Sequence, residues 1–171
     1  MDVCRKYAPV VEKYSIDECF LDMSGTERLY PDPLAIAHTI KDEIRDSLGF
    51  TVNIGISRNK LLAKMASDFE KPDKVHTLYP EELEAKLWPM PVGDLFSVGF
   101  ATSEKLRKAY IRTIGDLAHE DLRRVQSLVG KKLGQQLYEY ANGIDQSPVL
   151  AEPGAAKGYS ISTTCLLYTS P

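Results

Sequence analysis

The sequence predicts an α+β chain in two parts, and three observations carry that prediction. β-prone runs alternate with amphipathic helical stretches up to about residue 88. Prolines at 89 and 91 then interrupt the pattern, so that Leu87–Gly93 (LWPMPVG) reads as a connector. From there to about residue 150 the chain reads as short helices closed by tight glycine turns, which makes the second part small and all-helical.

The elements follow in order. Val10–Ser15 is β-prone and Cys19–Met23 is a second short apolar run, so the pair predicts a hairpin with Ile16, Asp17 and Glu18 near its tip. Asp32 followed by Pro33 supplies an N-cap and a proline at the first helical position. Ala37, Ile40, Ile44 and Leu48 then recur at helical spacing until Gly49 provides a stop. Thr51–Ser57 alternates Val52, Ile54 and Ile56 on one face, as a half-buried strand does. Asn59–Phe69 predicts a helix with Leu62, Ala66 and Phe69 inward and Lys60 and Lys64 one turn apart outward, ended by Lys71-Pro72-Asp73. Past the prolines, helices are predicted over Thr102–Tyr110, Ile114–Ala118, Leu122–Leu128 and Lys131–Ala141, the last stopping at Asn142-Gly143. The stretch from Ala151 reads as a Gly- and Ser-rich tether leading into a strand over Tyr159–Thr164.

Composition narrows the function classes. With 43% hydrophobic and 26% charged residues in 171, the chain is neither disordered nor fibrous. The longest uncharged stretch, Gly158–Pro171, is rich in Ser and Thr and is too short for a membrane-spanning helix, which needs about 20 apolar residues. The charged start, Met1–Lys13, does not read as a secretory signal, so a cytoplasmic location and no membrane partner are expected. Cys4, Cys19 and Cys165 form no C-x-x-C pair, and His38, His76 and His119 lie far apart, which disfavours a disulfide framework and a zinc site. Net charge is −3 overall, yet residues 99–135 carry eight basic side chains against four acidic ones, a local surface able to meet phosphates.

Three features can carry chemistry. Ser15-Ile16-Asp17-Glu18 places two carboxylates at a hairpin tip. Adjacent strand residues point to opposite faces, so the two converge only where the chain turns, and converging carboxylates call for a cation such as Mg²⁺ between them. The alternative is a solvated polar turn. GISRNKLLAKMASDFEKPD, residues 55–73, gives a strand, a turn and a helix. In it Gly55 permits close backbone approach, and Lys60, Lys64 and Lys71 lie near one edge suited to a triphosphate, or to plain solvation. Leu95–Gly99 before one predicted helix, echoed by Leu128–Lys132 before another, gives turns whose exposed N–H groups can hold DNA phosphates without reading sequence. A plain helical hairpin is the alternative there.

Taken in order, these segments resemble the Y-family DNA polymerases, translesion enzymes of the bacterial DNA polymerase IV and V type. YSIDECFLDMSG (residues 14–25) is similar to the family's S-I-D-E-x-x-L-D segment. GISRNKLLAKMASDFEKPD is similar to its G-I-x-x-N-K-x-L-A-K-x-A-S-x-x-x-K-P segment, and the resemblance covers about Val10–Thr164. It implies a partial palm over 1–88, an antiparallel sheet with helices on one face, then a linker over 89–93 and a helix-hairpin-helix thumb over 94–150. Residues 151–171 would be a tether and the start of a little-finger domain, with 165–171 (CLLYTSP) read as foreign to it. The implied activity is Mg²⁺-dependent, template-directed transfer of a nucleotide from dNTP to a primer 3′-hydroxyl in damage bypass and DNA repair, with two metal ions. By the match, Asp17 and Glu18 are catalytic metal ligands, Lys71 reaches the dNTP triphosphate, and Ser15, Lys60 and Lys64 support the site. Val98, Gly99, Lys105, Gly130, Lys131 and Lys132 hold the DNA backbone, while Asp22 is structural. Primer–template DNA is the implied partner, with a sliding clamp as another through a segment outside this chain.

The departures are specific. The family's first strand, with a further metal-binding Asp and a ribonucleotide-excluding aromatic residue, and its fingers domain have no counterpart in these residues, so the chain alone is expected to be inactive. Ser97 and Tyr110-Ile111 replace glycine-containing positions of the first thumb hairpin, which weakens its expected hold on phosphate. Two other readings stay open: a non-catalytic helix-hairpin-helix DNA-binding module, and a nucleotide cyclase with a related palm.

Overall fold

A computed structural model describes residues 1–151, and the strand expected over Tyr159–Thr164 lies outside them. The described residues form four short strands, seven α-helices, two short 3₁₀ turns and one π-helical turn, in the order α1 (Asp2–Arg5), β1 (Val10–Lys13), β2 (Cys19–Asp22), α2 (Pro33–Leu48), β3 (Ile54–Ile56), α3 (Lys60–Ser67), β4 (Val75–Thr77), then the three turns between Pro80 and Asp94, then α4 (Phe100–Lys108), α5 (Ile114–His119), α6 (Leu122–Val129) and α7 (Lys131–Ala141). No described helix is long and apolar enough to cross a membrane.

Local chemistry sets most boundaries. The Asp32 carboxylate accepts hydrogen bonds from the backbone N–H groups of Leu34 (2.9 Å) and Ala35 (3.3 Å) and so caps α2, while Gly49, at φ 76°, ends it in the left-handed region. Asn59 caps α3 in the same way through the Leu62 N–H at 2.9 Å. Thr113 and Asp116 form a reciprocal capping box at the start of α5.

The strands depart from one antiparallel sheet. β1 and β2 pair antiparallel, Val10 opposite Asp22 and Lys13 opposite Cys19, whereas β3 and β4 form a separate parallel pair. The connection explains the difference: α3 lies between β3 and β4 in sequence and returns the chain to the same end, the geometry a parallel pair requires. β3 is also shorter than the alternation over Thr51–Ser57 predicts. β4 was not anticipated, because three residues between Lys74 and Leu78 carry too little pattern; the ladder is extended on both sides by Ile54 N–H to Lys74 C=O (2.9 Å) and Leu78 N–H to Ile56 C=O (3.0 Å).

Two cores organise the chain. The smaller gathers Val3, Cys4, Ala8 and Val11 with Ile40 and Ile44 of α2. The larger runs from Leu61, Leu62, Met65 and Ala66 of α3 through Leu78, Leu83, Leu87, Val92 and Leu95 to Leu106, Ile114, Leu117, Val125, Leu137 and Ala141. The segment expected as a linker is therefore part of this core. Leu87 and Val92 are fully buried, Pro91 pairs with Thr113 as an isolated bridge, and a π-helical turn over Leu83–Leu87 carries the apolar side chains inward. Prolines at 89 and 91 end helix without making the segment free, because their apolar neighbours have a surface to cover. The second helical run begins at Phe100 rather than Thr102 and stops at Lys108, leaving Tyr110 exposed at φ 68°.

Candidate functional site

The tip of the β1–β2 hairpin is closed by two hydrogen bonds from one strand to a single carbonyl: Tyr14 N–H and Ser15 N–H both donate to Glu18 C=O, at 3.0 and 3.1 Å. That turn leaves Asp17 exposed and Glu18 half-exposed, and the Ser15 hydroxyl donates to the Asp17 carboxylate at 2.8 Å. The tip is held from beneath by aromatic side chains, Tyr14 edge-on to Phe20 with centroids 5.3 Å apart.

The lysines of α3 meet this hairpin. Lys64 is ion-paired with Glu18 and, at 3.0 Å, with Asp68; Asp68 in turn holds Lys71 at 2.7 Å. A continuous run of alternating charge, Glu18–Lys64–Asp68–Lys71, thus joins the acidic tip to the loop after α3. Burial works against the Lys64 charge, but the Glu18 and Asp68 carboxylates outweigh it and raise its pKa. Burial likewise opposes ionisation of Asp68, and Lys71 and Lys64 outweigh it, holding that carboxyl below its ordinary value.

Lys60 sits elsewhere. It pairs with Glu12 on β1 at 2.7 Å and lies 4.9 Å from the centre of the Phe20 ring, so it braces the hairpin and not the tip carboxylates. Glu12 is a residue the sequence reading missed, as is Asp145, whose carboxylate accepts from Leu61 N–H at 3.1 Å while Asn59 donates to Gly143 C=O at 2.9 Å. Both tie the chain after α7 to the start of α3, across sequence separations no local pattern can show. Asp22, expected as structural, accepts from Ser24 N–H at 2.9 Å in the turn after β2.

In the helical half, Gly99 stands at the N-cap of α4 and Lys105 is exposed in its last turn, while Val98 is half-buried against the larger core. Gly130, at φ 95°, ends α6 and begins α7, and Lys131 and Lys132 follow it, both exposed on the first turn. A left-handed glycine here lets one residue serve both helices and leaves the first N–H groups of α7 beside two cations. Gly134 permits α6 and α7 to pack closely, since a Cβ there would lie 2.7 Å from the Gln126 Cα. Ser97, where a glycine was expected, takes φ 72° all the same.

Among the described residues no three His, Cys, Asp or Glu side chains cluster as a metal site. Asp17 and Glu18 are two adjacent carboxylates at the tip, Asp17 bonded to Ser15 and Glu18 paired with Lys64, and two oxygen donors fall short of the set a Mg²⁺ ion takes.

Comparison with known proteins covers both halves. Residues 1–68 match the family model described as impB/mucB/samB family, and residues 93–145 match that of the DNA polymerase-iota thumb domain. The chain is 46% identical over 164 residues to DNA polymerase IV of Clostridium acetobutylicum, covering 96% of this chain and 41% of that protein. It is 41% identical over 165 residues to DNA polymerase IV of Alkaliphilus oremlandii, covering 96% and 41%. The chain thus spans about two fifths of the length of these relatives. Among solved structures, DinB from Sulfolobus solfataricus superposes with a TM-score of 0.79 at 26% identity, over 88% of this chain and 45% of that one. An insertion ternary complex of Dbh DNA polymerase gives 0.76 at 26% identity, over 87% and 44%.

Proposed function

The chain belongs to the Y family of DNA polymerases, and on that premise we propose that its hairpin tip and α3 edge form part of a site for template-directed nucleotidyl transfer from dNTP to a primer 3′-hydroxyl in lesion bypass. The observation that carries the reading is the run Glu18–Lys64–Asp68–Lys71, which alternates carboxylates and cations along one edge. Asp17 and Glu18 would hold Mg²⁺ together with triphosphate oxygens, and the ion supplies neutralisation of charge on the phosphates and on the attacking oxygen.

The chain's own residues prepare for that step. Lys64 holds Glu18 in place by an ion pair, and exchange of that pairing for a cation frees the lysine toward Asp68. Lys71, 59% exposed and tethered among the described residues to Asp68, can swing from the carboxylate to a triphosphate at small cost, because an exposed pair is worth about 0–1 kcal/mol. Ser15 holds the Asp17 carboxylate by its hydroxyl. Gly99, Gly130 and the cations Lys105, Lys131 and Lys132 would meet duplex phosphates through backbone N–H groups and charge, which fixes DNA without reading its sequence.

A chimera tests this. The matched segment replaces its counterpart in the Clostridium acetobutylicum polymerase, and single-turnover primer extension is followed with Mg²⁺ and dNTP. Glu18→Gln should lower the rate about a hundredfold or more with primer–template affinity unchanged. Equal loss of rate and affinity would remove Glu18 from the metal role. The alternative of a DNA-binding module confined to residues 94–150 is disfavoured by the family match over residues 1–68. Duplex binding by residues 93–145 alone as tight as by the chain, with an inactive chimera, would favour it instead.

A further inference from the structure

Two thiols that the proposed chemistry does not use face each other behind the acidic tip. Cys4 of α1 and Cys19, the first residue of β2, place their sulfur atoms 4.0 Å apart. Both cysteines are reduced, Cys4 buried and Cys19 half-buried, and both pack in the smaller core among Val3, Ala8, Val11 and Ile40. The register fixes this meeting. Cys19 pairs with Lys13 at the last position of the hairpin ladder, and successive residues alternate faces, so Cys19 and Leu21 turn toward the helices while Phe20 turns toward Lys60. Among the described residues, neither sulfur has a side-chain hydrogen-bond partner apart from the other.

We propose that Cys4 and Cys19 are a redox modification site: a dithiol that a small peroxide converts to an intramolecular disulfide linking α1 to β2. The sulfurs must approach from 4.0 Å to about 2.05 Å, a closure within reach of side-chain rotation at two short side chains with modest backbone adjustment. A thiolate of the pair attacks one peroxide oxygen; the O–O bond breaks, giving a sulfenic acid and hydroxide, which takes up a proton. The second sulfur then attacks the sulfenic sulfur, the S–S bond forms, the S–O bond breaks, and hydroxide leaves with the thiol proton as water. Overall two thiols give up two hydrogens and one hydrogen peroxide becomes two waters. A thiol reductant reverses the change by exchange.

The location gives the link its consequence. Cys19 directly follows Glu18, so the disulfide anchors the base of the acidic tip to a helix that shares the smaller core with it. This inference rests on the thiol geometry alone and holds whether or not the tip binds metal. In a reducing compartment such a pair is a transient sensor and not a permanent staple.

The test uses the full 171-residue chain, treated with hydrogen peroxide near neutral pH and then alkylated. Intact mass and non-reducing peptide maps are read for wild type, Cys165→Ser, Cys4→Ser and Cys19→Ser. The wild type and Cys165→Ser should each lose two hydrogens and yield one linked peptide pair joining positions 4 and 19, restored by dithiothreitol. Cys4→Ser and Cys19→Ser should yield no such pair. The reaction in denaturant should be at least tenfold slower, since folding supplies the proximity. Free alkylation of both cysteines after peroxide, oxygen addition without a link, links that involve Cys165, or an equal rate in denaturant would each overturn the proposal.

Discussion

Gly55 allows the packing of β3 against α3 to be tested with a single methyl group. A Cβ at this position would lie 1.9 Å from the Ala63 carbonyl oxygen and 2.6 Å from the Ser67 nitrogen, both backbone atoms of α3 that no rotamer change can move. Ordinary contact begins near 3.4 Å, so Gly55→Ala forces strand and helix apart by about 1.5 Å. A gap of 0.5 to 1 Å already forfeits roughly a quarter to a half of each dispersion well. α3 buries Leu61, Leu62, Met65 and Ala66, so displacement disturbs the larger core as well as the ladder. The cost should be at the upper end of overpacking, about 3 kcal/mol or more, from a total stability of roughly 5 to 15. Trp88, the sole tryptophan, packs against the same core and reports unfolding by fluorescence in urea. With a slope of about 2 kcal/mol per molar, the midpoint should fall by roughly 1.5 M. Gly49→Ala is the control: its φ is 76°, but no atom lies within 4 Å of the added carbon, so it meets only the left-handed penalty of about 1–2 kcal/mol. If Gly55→Ala costs no more than Gly49→Ala, close approach is not why position 55 is glycine.

Three further outcomes follow from the same geometry. Asp32→Ala removes the cap of α2 and should cost about 1 kcal/mol in urea unfolding, with Asp32→Ser close to wild type. Asp116 accepts from the backbone N–H groups of Thr113 and Arg112, which lowers its pKa below the ordinary 3.8. A depressed carboxyl stabilises the fold above its unfolded value and loses that contribution as pH falls through its folded value. The stability gap between wild type and Asp116→Asn should therefore be constant from neutrality to about pH 4 and close below it; a gap that widens in acid would contradict the capping role. Lys131→Ala and Lys132→Ala should each reduce the dependence of log affinity for duplex DNA on log salt by about 0.9, read by anisotropy over a salt series. An unchanged slope would place that lysine off the phosphate backbone.

What the sequence made legible is what short-range chemistry decides. The Asp32-Pro33 start and Gly49 stop of α2 and the Lys131–Ala141 helix rest on interactions within a few residues, and the structure has them where the pattern put them. The hairpin was legible from two apolar runs around a polar turn, whereas the partners of its tip, Ser15 for Asp17 and Lys64 for Glu18, were not. Long-range pairings were not. Glu12 meets Lys60 across 48 positions, and Asp145 meets the Leu61 N–H across 84, and nothing in either neighbourhood announces the other. Prolines 89 and 91 were read for what they break, whereas Leu87 and Val92 beside them record what the segment covers.

The shared core also bears on how the two halves act together. α3 lies at the meeting point: Gly55 lets it press on β3, Lys64 reaches the acidic tip, its N-terminus is capped by Asn59 and bonded by Asp145, and its apolar face belongs to the core that also holds Leu87, Leu106 and Leu137. A helix of eight residues fixed on all those sides has little freedom to shift alone. Movement of the helices α4–α7 must then be absorbed in segments outside this core or be felt at Lys64. A buried leucine of α7 makes the distinction. Leu137→Ala should cost about 2–5 kcal/mol by cavity formation. If α3 couples the halves, the variant should also lower the pKa of Lys64 toward its ordinary value, measured by NMR titration of the side chain under folded conditions. An unaltered Lys64 titration in a destabilised but folded Leu137→Ala chain would mean that the core holds the two halves together without transmitting between them.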